Sequence, residues 1–253
     1  MLTNILIIVV CVVVSIVFLF LVTRTSEAHS RKESNDFTGA VVAVIGTTYA
    51  VILAFMLYSV WTQFQQAQSN AEQEANSLVN MWRLSENIDP ATASEVRTLC
   101  QRYAEVVMSK EWPAMHEQVA LPREASDIID QLWKLAGRNQ ANSGNNSIAS
   151  YQLVEELRML TEYRRFRLME SHEDLPTILK TVLIAGGIIT VGAACFFGVP
   201  SFRFHVLQVT MLSFLIALVL VAIADIDRPY QGSVVVQPEG FDLALSTFKI
   251  DGK

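Results

Sequence analysis

Four stretches of this chain, residues 5–22, 40–61, 178–199 and 206–224, contain between them a single charged side chain, Lys180. Each is 18 to 22 residues long, close to the roughly 20 apolar residues that a helix rising about 1.5 Å per residue needs to cross a bilayer. Only 17% of the 253 residues are charged, against about 25% in soluble domains. The whole deficit lies in the four stretches, and the remainder has an ordinary soluble composition. One compact water-soluble domain is excluded. The fold class expected is all-α: a four-span transmembrane helical protein with a long second helix that extends into a helical extramembrane body.

The first stretch reads as an anchor and not as a cleaved signal. No Lys or Arg precedes it, its apolar run exceeds the roughly 7–15 residues of a signal core, and no small-x-small site precedes Arg24. Cys11 and Cys195 fall inside apolar stretches and Cys100 stands alone, so neither a disulfide framework nor a zinc spacing is expected. A net charge of −6 argues against nucleic acid as a partner, because that requires a basic face.

Four spans divide the chain into spans one and two (1–62), an insert (63–177), spans three and four (178–226) and a tail (227–253) expected to dock on the insert. Both termini and the insert fall on one side, with 23–39 and 200–205 on the other. Positive charge near the span ends does not orient the protein: Arg24, Arg31, Lys32 and Arg203 oppose Arg158, Arg164, Arg165, Arg167 and Arg228. Breakers at Asp89-Pro90, Trp112-Pro113, Leu121-Pro122, 137–150 and Leu175-Pro176 cut the insert into expected helices 63–88, 91–110, 123–137 and 148–174. The Asn-, Ser- and Gly-rich run 138–150 is expected to be a surface loop, and the tail an extended segment (232–238) before a short helix (241–248).

The second stretch carries the most informative pattern. Ala43, Thr47, Ala50, Ala54, Leu57, Trp61, Phe64, Gln68, Ala71, Ala75, Leu78 and Trp82 recur at alternating steps of four and three, a heptad stripe. No proline interrupts it, so one helix is expected over 39–86. Within the bilayer the stripe is small-faced, which lets neighbouring backbones approach.

Catalytic patterns are absent from the sequence. His29, His116, His172 and His205 sit in no nucleophile elbow or metal spacing, and there is no Walker loop, dinucleotide fingerprint or HExxH helix. The chain reads as a non-enzyme without a cofactor. Glu155-Glu156 and Glu173-Asp174 are adjacent, so on a helix they point about 100° apart and read as solvated faces. Asp225 and Asp227 end the fourth span, either as boundary residues or as acids at a pore mouth. Arg164, Arg165 and Arg167 either attract anions and lipid headgroups or pair with Glu162 and Glu170 on their own helix.

Several motifs resemble a known family. Asp227-Arg228-Pro229-Tyr-x-Gly232, followed by Val236-x-Pro238 and Phe241, is similar to the closing signature of the bestrophin-like four-span membrane proteins (DUF4239). Asn35-Asp36-x-x-Gly39, Glu111-Trp112-Pro113, Arg164-Arg165-x-Arg167-Leu168, Leu175-Pro176 and Phe197-Gly198 match as well, while Ser34 stands where the family pattern has His. These residues are expected to be structural. The resemblance implies a remote likeness to bestrophins, pentameric anion channels with a long second helix and a cytosolic helical body. It implies a homo-oligomer in a bacterial inner or plasma membrane, with the insert and both termini cytoplasmic, and with lipid and inorganic anions as partners. The pathway would be lined by Ala43, Thr47, Ala50 and Ala54. The alternative is a membrane-anchored interaction or sensing module whose insert recruits a partner. A transporter ranks third, because no span is broken by Pro and none holds a charge pair.

Overall fold

In the computed structural model, residues 2–25, 35–142 and 148–251 are described. The chain runs through α1 (Leu2–Thr25), α2 (Asn35–Leu84), a 3-10 turn (Ser85–Asn87), α3 (Pro90–Val106), a π-helical turn (Val107–Glu111) and α4 (Trp112–Glu117). It continues through α5 (Glu124–Asn142), α6 (Ile148–Glu170), α7 (Thr177–Cys195), α8 (Phe202–Ile226) and α9 (Glu239–Asp251), and no strand occurs among the described residues. Each apolar stretch forms the body of α1, α2, α7 or α8, and these four helices are long and apolar enough to cross a membrane. With no proline between Asn35 and Leu84, α2 is 50 residues long, about 75 Å at 1.5 Å per residue.

Several local expectations are corrected. Trp112-Pro113 does not break the chain's helical course. Pro113 lacks an N–H to donate four residues back, and the π turn over 107–111 absorbs that defect so that α3 leads directly into α4. α5 continues past Gly137 to Asn142, because a glycine inside a helix costs only about 1 kcal/mol and need not end it. The rest of the expected loop, 143–147, lies outside the described residues, as do His29 and Ser34. α6 stops at Glu170 and not at 174, and Ser171 closes its last turn by donating from Oγ to the Leu168 carbonyl (2.8 Å). Residues 232–238 pair with no strand among the described residues. Their backbone tie is Val236 N–H to the Pro229 carbonyl at 2.7 Å, and α9 runs longer than expected.

The chain forms two compact units, Met1–Thr62 with Asp174–Asp227, and Gln63–Glu173 with Arg228–Lys253. In the first, Val60, Leu175, Leu183 and Ile223 are buried with Ile52, Leu53, Met56 and Leu57 packed against them, while Leu19, Val22, Cys195 and Val209 form a second cluster. Polar ties reinforce the helix pairs. Asn4 donates to Asp225 (2.7 Å), the Ser15 and Ser213 hydroxyls meet at 2.9 Å, and the buried Tyr49 hydroxyl donates to the Leu183 carbonyl (2.8 Å). The Tyr49 ring sits against a glycine: a Cβ at Gly186 would stand 2.5 Å from its Cδ2 and Cε2 atoms.

In the second unit the core draws Leu78, Met81 and Trp82 from α2, Cys100 and Tyr103 from α3, Ile128 and Leu132 from α5, and Leu153, Leu157 and Leu160 from α6. Phe241, Ala244 and Phe248 of α9 complete it. Trp82 and Phe248 stack with ring centroids 4.4 Å apart. α9 approaches α2 closely at Gly240, whose absent Cβ would meet that of Ala75 at 3.1 Å.

The heptad stripe does not stay on one face. Ala43, Thr47, Ala50 and Ala54 are exposed, whereas Phe64, Ala71, Ala75, Leu78 and Trp82 are buried. A straight helix has 3.6 residues per turn, so a seven-residue repeat drifts about 20° per heptad, or roughly 100° over the five heptads from Ala43 to Leu78. That rotation is enough to take the stripe from residues exposed on α2 to residues buried on it.

Candidate functional site

Three small residues and a threonine, Ala43, Thr47, Ala50 and Ala54, share an exposed face of α2 with Val44, Val51 and Phe55. None of the four takes part in the buried core. The hydroxyls of Thr62, Thr181 and Thr190 donate to the carbonyl four residues back, the usual fate of a helical threonine. Thr47 and Thr48 make no such bond among the described residues. The face is therefore apolar, narrow in side-chain volume, and supplied with uncommitted hydroxyls.

The motif residues fall into spatial pairs. Asn35 accepts from the Gly198 N–H (2.8 Å) and donates to the Gly198 carbonyl (3.0 Å), fixing the start of α2 to the segment after α7. Gly39 faces the Phe197 ring, with Cβ space of 3.8 Å. Asp36 is exposed in the first turn of α2, where a carboxylate suits the positive end of the helix dipole. Asp227 is buried. It accepts from the Leu175 N–H (2.9 Å) and stands 3.4 Å from Lys180 Nζ, so it is internally paired.

In the second unit, Trp112 donates from Nε1 to the Val236 carbonyl (3.2 Å) and meets Tyr230 and Phe241 edge-on at 5.6 and 5.8 Å. Pro113 is exposed beside it. Gly232 has φ 91°, a conformation that side chains with a Cβ rarely adopt. It sets the turn after Arg228 and Pro229, in which Gln231 N–H donates to the Arg228 carbonyl (3.0 Å).

Glu111 and Arg167 belong to a buried charge network. Arg167 donates from Nε and Nη2 to both oxygens of Glu74 (2.6 and 2.9 Å) and from Nη2 to Glu111 (2.8 Å). Arg164 donates to the other Glu111 oxygen (2.6 Å), and the Tyr103 hydroxyl donates to Glu74 (2.6 Å). Glu74, Glu111 and Arg167 are 0% exposed. Two carboxylates balance two guanidinium groups, which is the condition for burying charge at tolerable cost. Burial alone would lower the Arg167 pKa, but Glu74 and Glu111 hold it well above its ordinary value. Burial, then the neighbouring Glu74 charge, raises Tyr103 well above the usual phenol range. The pairing of Arg164 and Arg167 along their own helix with Glu162 and Glu170 is not what forms: Arg158 pairs with Glu162, and Glu170 accepts from Asn70 (2.5 Å). Arg165 is exposed, with its guanidinium over the Phe166 ring at 5.6 Å.

Sequence reasoning missed Glu74, Tyr103 and Asn70, and gave Glu170 to the arginines of its own helix when its partner is Asn70. A signal for Glu74 did exist, because it sits at helical spacing among Ala67, Ala71, Leu78 and Met81, all buried. A lone acid in an apolar stripe marks a buried partner. Among the described residues, no cluster of His, Cys, Asp and Glu could hold a metal ion.

Glu170 gives a pH dependence. Burial pushes its carboxyl from 4.5 up to about 7, so the folded state binds a proton that the unfolded chain releases. Stability from this group is therefore full below about pH 4.5 and is lost as pH rises toward 7. Glu170→Gln keeps an acceptor for Asn70 and is expected to remove this slope and raise the melting temperature at pH 8. Parallel melting curves of the two proteins between pH 5 and pH 8 sink the assignment.

The fold and these sites define an all-helical protein of membrane type, in which a long second helix supplies part of both units. Its sequence matches the Bestrophin-like domain over residues 9–241, and the chain belongs to that family. The fold is shared with a bacterial bestrophin homolog from Klebsiella pneumoniae, at 12% identity over 96% of each chain with a TM-score of 0.71. A point variant of that homolog aligns at 13% identity over 96% of this chain and 98% of its own, with a TM-score of 0.73. A further crystal structure, of a protein described only as a membrane protein, aligns at 13% identity over 96% of each chain with a TM-score of 0.71. No curated protein matches the sequence.

Proposed function

We propose that the protein is a homo-oligomeric ion channel for anions, with its pathway lined by α2 through Ala43, Thr47, Ala50 and Ala54. The carrying observation is that these four side chains are exposed on the protomer and contribute nothing to its own core. Small residues on a membrane helix favour close approach of a neighbouring helix, and threonine hydroxyls free of backbone bonds offer donors to a passing anion. Family membership and likeness in fold to a bestrophin homolog support the same reading. The segment from Asp227 to Gly232 acts as a structural lock for the tail and does not touch ions. The insert and both termini face the cytoplasm. This predicts that, in intact cells, an impermeant thiol reagent labels a cysteine introduced at Ser34 and spares one at Ser143.

Purified protein in liposomes is expected to carry a chloride flux, and Thr47→Trp to reduce it at least several-fold without loss of the oligomer. Vesicles that stay tight at every pH and potential tested, or a strict monomer in detergent, overturn the channel.

A further inference from the structure

On the first unit, α1, α7 and α8 enclose a cavity of about 420 Å³. Gly187, Gly192 and Ala217 keep it open, since none carries a side chain beyond Cβ, and Phe18 stands across from Gly192, its Cε1 3.9 Å from where a Cβ there would lie. The rim is bare: Phe18 is 40% and Ile188 68% exposed. The three helices are each long and apolar enough to cross a membrane, so the cavity opens onto hydrocarbon and not onto water.

No charged side chain lines it, and its two hydroxyls are those of Ser15 and Ser213, 2.9 Å apart and each near the middle of its helix. A third group fixes the direction of their bond. Ser15 gives its proton to the Cys11 carbonyl (2.7 Å), so Ser213 is the donor to Ser15. Both protons are then spent, whereas each serine oxygen has two lone pairs, of which one stays open on Ser15 and both on Ser213. The pair accepts and does not donate. In hydrocarbon, where water offers no alternative partner, a ligand that brings a hydroxyl gains a bond here, while an ester, ketone or ether sets acceptor against acceptor. Phospholipid headgroups are excluded by depth, because the middle of a span lies about 15 Å from either face of the roughly 30 Å hydrocarbon core. Volume sets the length of the ligand. An apolar cavity of about 150 Å³ takes the six carbons of benzene, so one of about 420 Å³ takes roughly 17 heavy atoms in proportion.

We propose that this cavity binds a single-chain aliphatic alcohol of about sixteen carbons, its hydroxyl donating to Ser15, the more open member of the pair. The proposal is independent of ion conduction. Equilibrium binding of radiolabelled 1-hexadecanol to the full-length protein in nanodiscs tests it, with protein-free nanodiscs as the background. Saturable binding at one site per chain is expected, and unlabelled 1-hexadecanol should displace the label about fivefold better than its methyl ether does, the worth of one hydrogen bond. Ser15→Ala combined with Ser213→Ala should erase that preference while the ether still displaces the label. Gly192→Leu, which fills the cavity, should abolish binding, and Gly46→Leu, at a site with nothing within 4 Å of its Cβ position, should leave it unchanged. No saturable component above the protein-free background, as when lipid tails or a second copy of the chain fill the space, overturns the proposal. So does an ether or an alkane that competes as well as the alcohol on the unaltered protein, or a Gly192→Leu protein that binds like the Gly46→Leu control.

Discussion

Arg167→Met is expected to destabilise the insert by about 3–5 kcal/mol, the usual result of stripping one partner from a buried ion pair. The guanidinium contributes three charge-assisted bonds of 2.6 to 2.9 Å to Glu74 and Glu111 and lies 5.4 Å from the centre of the Trp112 ring. Its removal leaves two fully buried carboxylates with only Arg164 to balance them and Tyr103 as the remaining donor to Glu74. Arg167→Lys should recover little, because an ammonium cannot reproduce the fork that meets both Glu74 oxygens. Arg167→Met combined with Glu74→Gln should recover more, since the unpaired charge goes with its partner. Amide hydrogen exchange in α3 and α6 reads the effect directly: 3–5 kcal/mol corresponds to roughly 200- to 4000-fold faster exchange through the opened state. A change below about tenfold would show that the network is dispensable.

The second large effect is at Gly186. A methyl group there would stand 2.5 Å from Cδ2 and Cε2 of Tyr49, so the ring has to leave its slot between α2 and α7. Tyr49 is only 4% exposed, and its hydroxyl bond to the Leu183 carbonyl goes with it. Overpacking of this kind costs about 1–3 kcal/mol, to which the orphaned hydroxyl adds. Gly186→Ala should therefore lower the midpoint of thermal aggregation in detergent, whereas Gly46→Ala should not, because nothing lies within 4 Å of its Cβ position. Equal midpoints for the two variants would mean that Tyr49 yields without cost.

What could be read from the sequence was set by local chemistry. Apolar runs too long and too poor in charge for a soluble core had to be helices of the first unit, and a proline-free stretch had to be one long helix. The limits of such reading are equally physical. Trp112-Pro113 looks like a break because proline removes a hydrogen bond, yet the π turn before it makes the loss harmless. Gly137 looks like a stop only if the helix has no neighbours to hold it. Arg167 has acids five and three residues away on its own chain segment, at 162 and 170, but its partner Glu74 is 93 residues distant, and no local rule reaches that far. The heptad stripe was legible as a pattern, and its division between an exposed face and a core depends on the small mismatch between seven residues and two helical turns.

The core of the second unit also sets an order on biosynthesis. Residues 63–173 leave the ribosome early, but Phe241, Ala244 and Phe248, which close that core against Trp82, follow the last of the four apolar helices. Through the synthesis of some 65 intervening residues, α2, α3, α5 and α6 lack the apolar side chains by which α9 completes their core. A nascent chain of this protein therefore completes its membrane segments before its extramembrane body can finish folding, and any premature stop before 239 releases a body with its hydrophobic interior exposed.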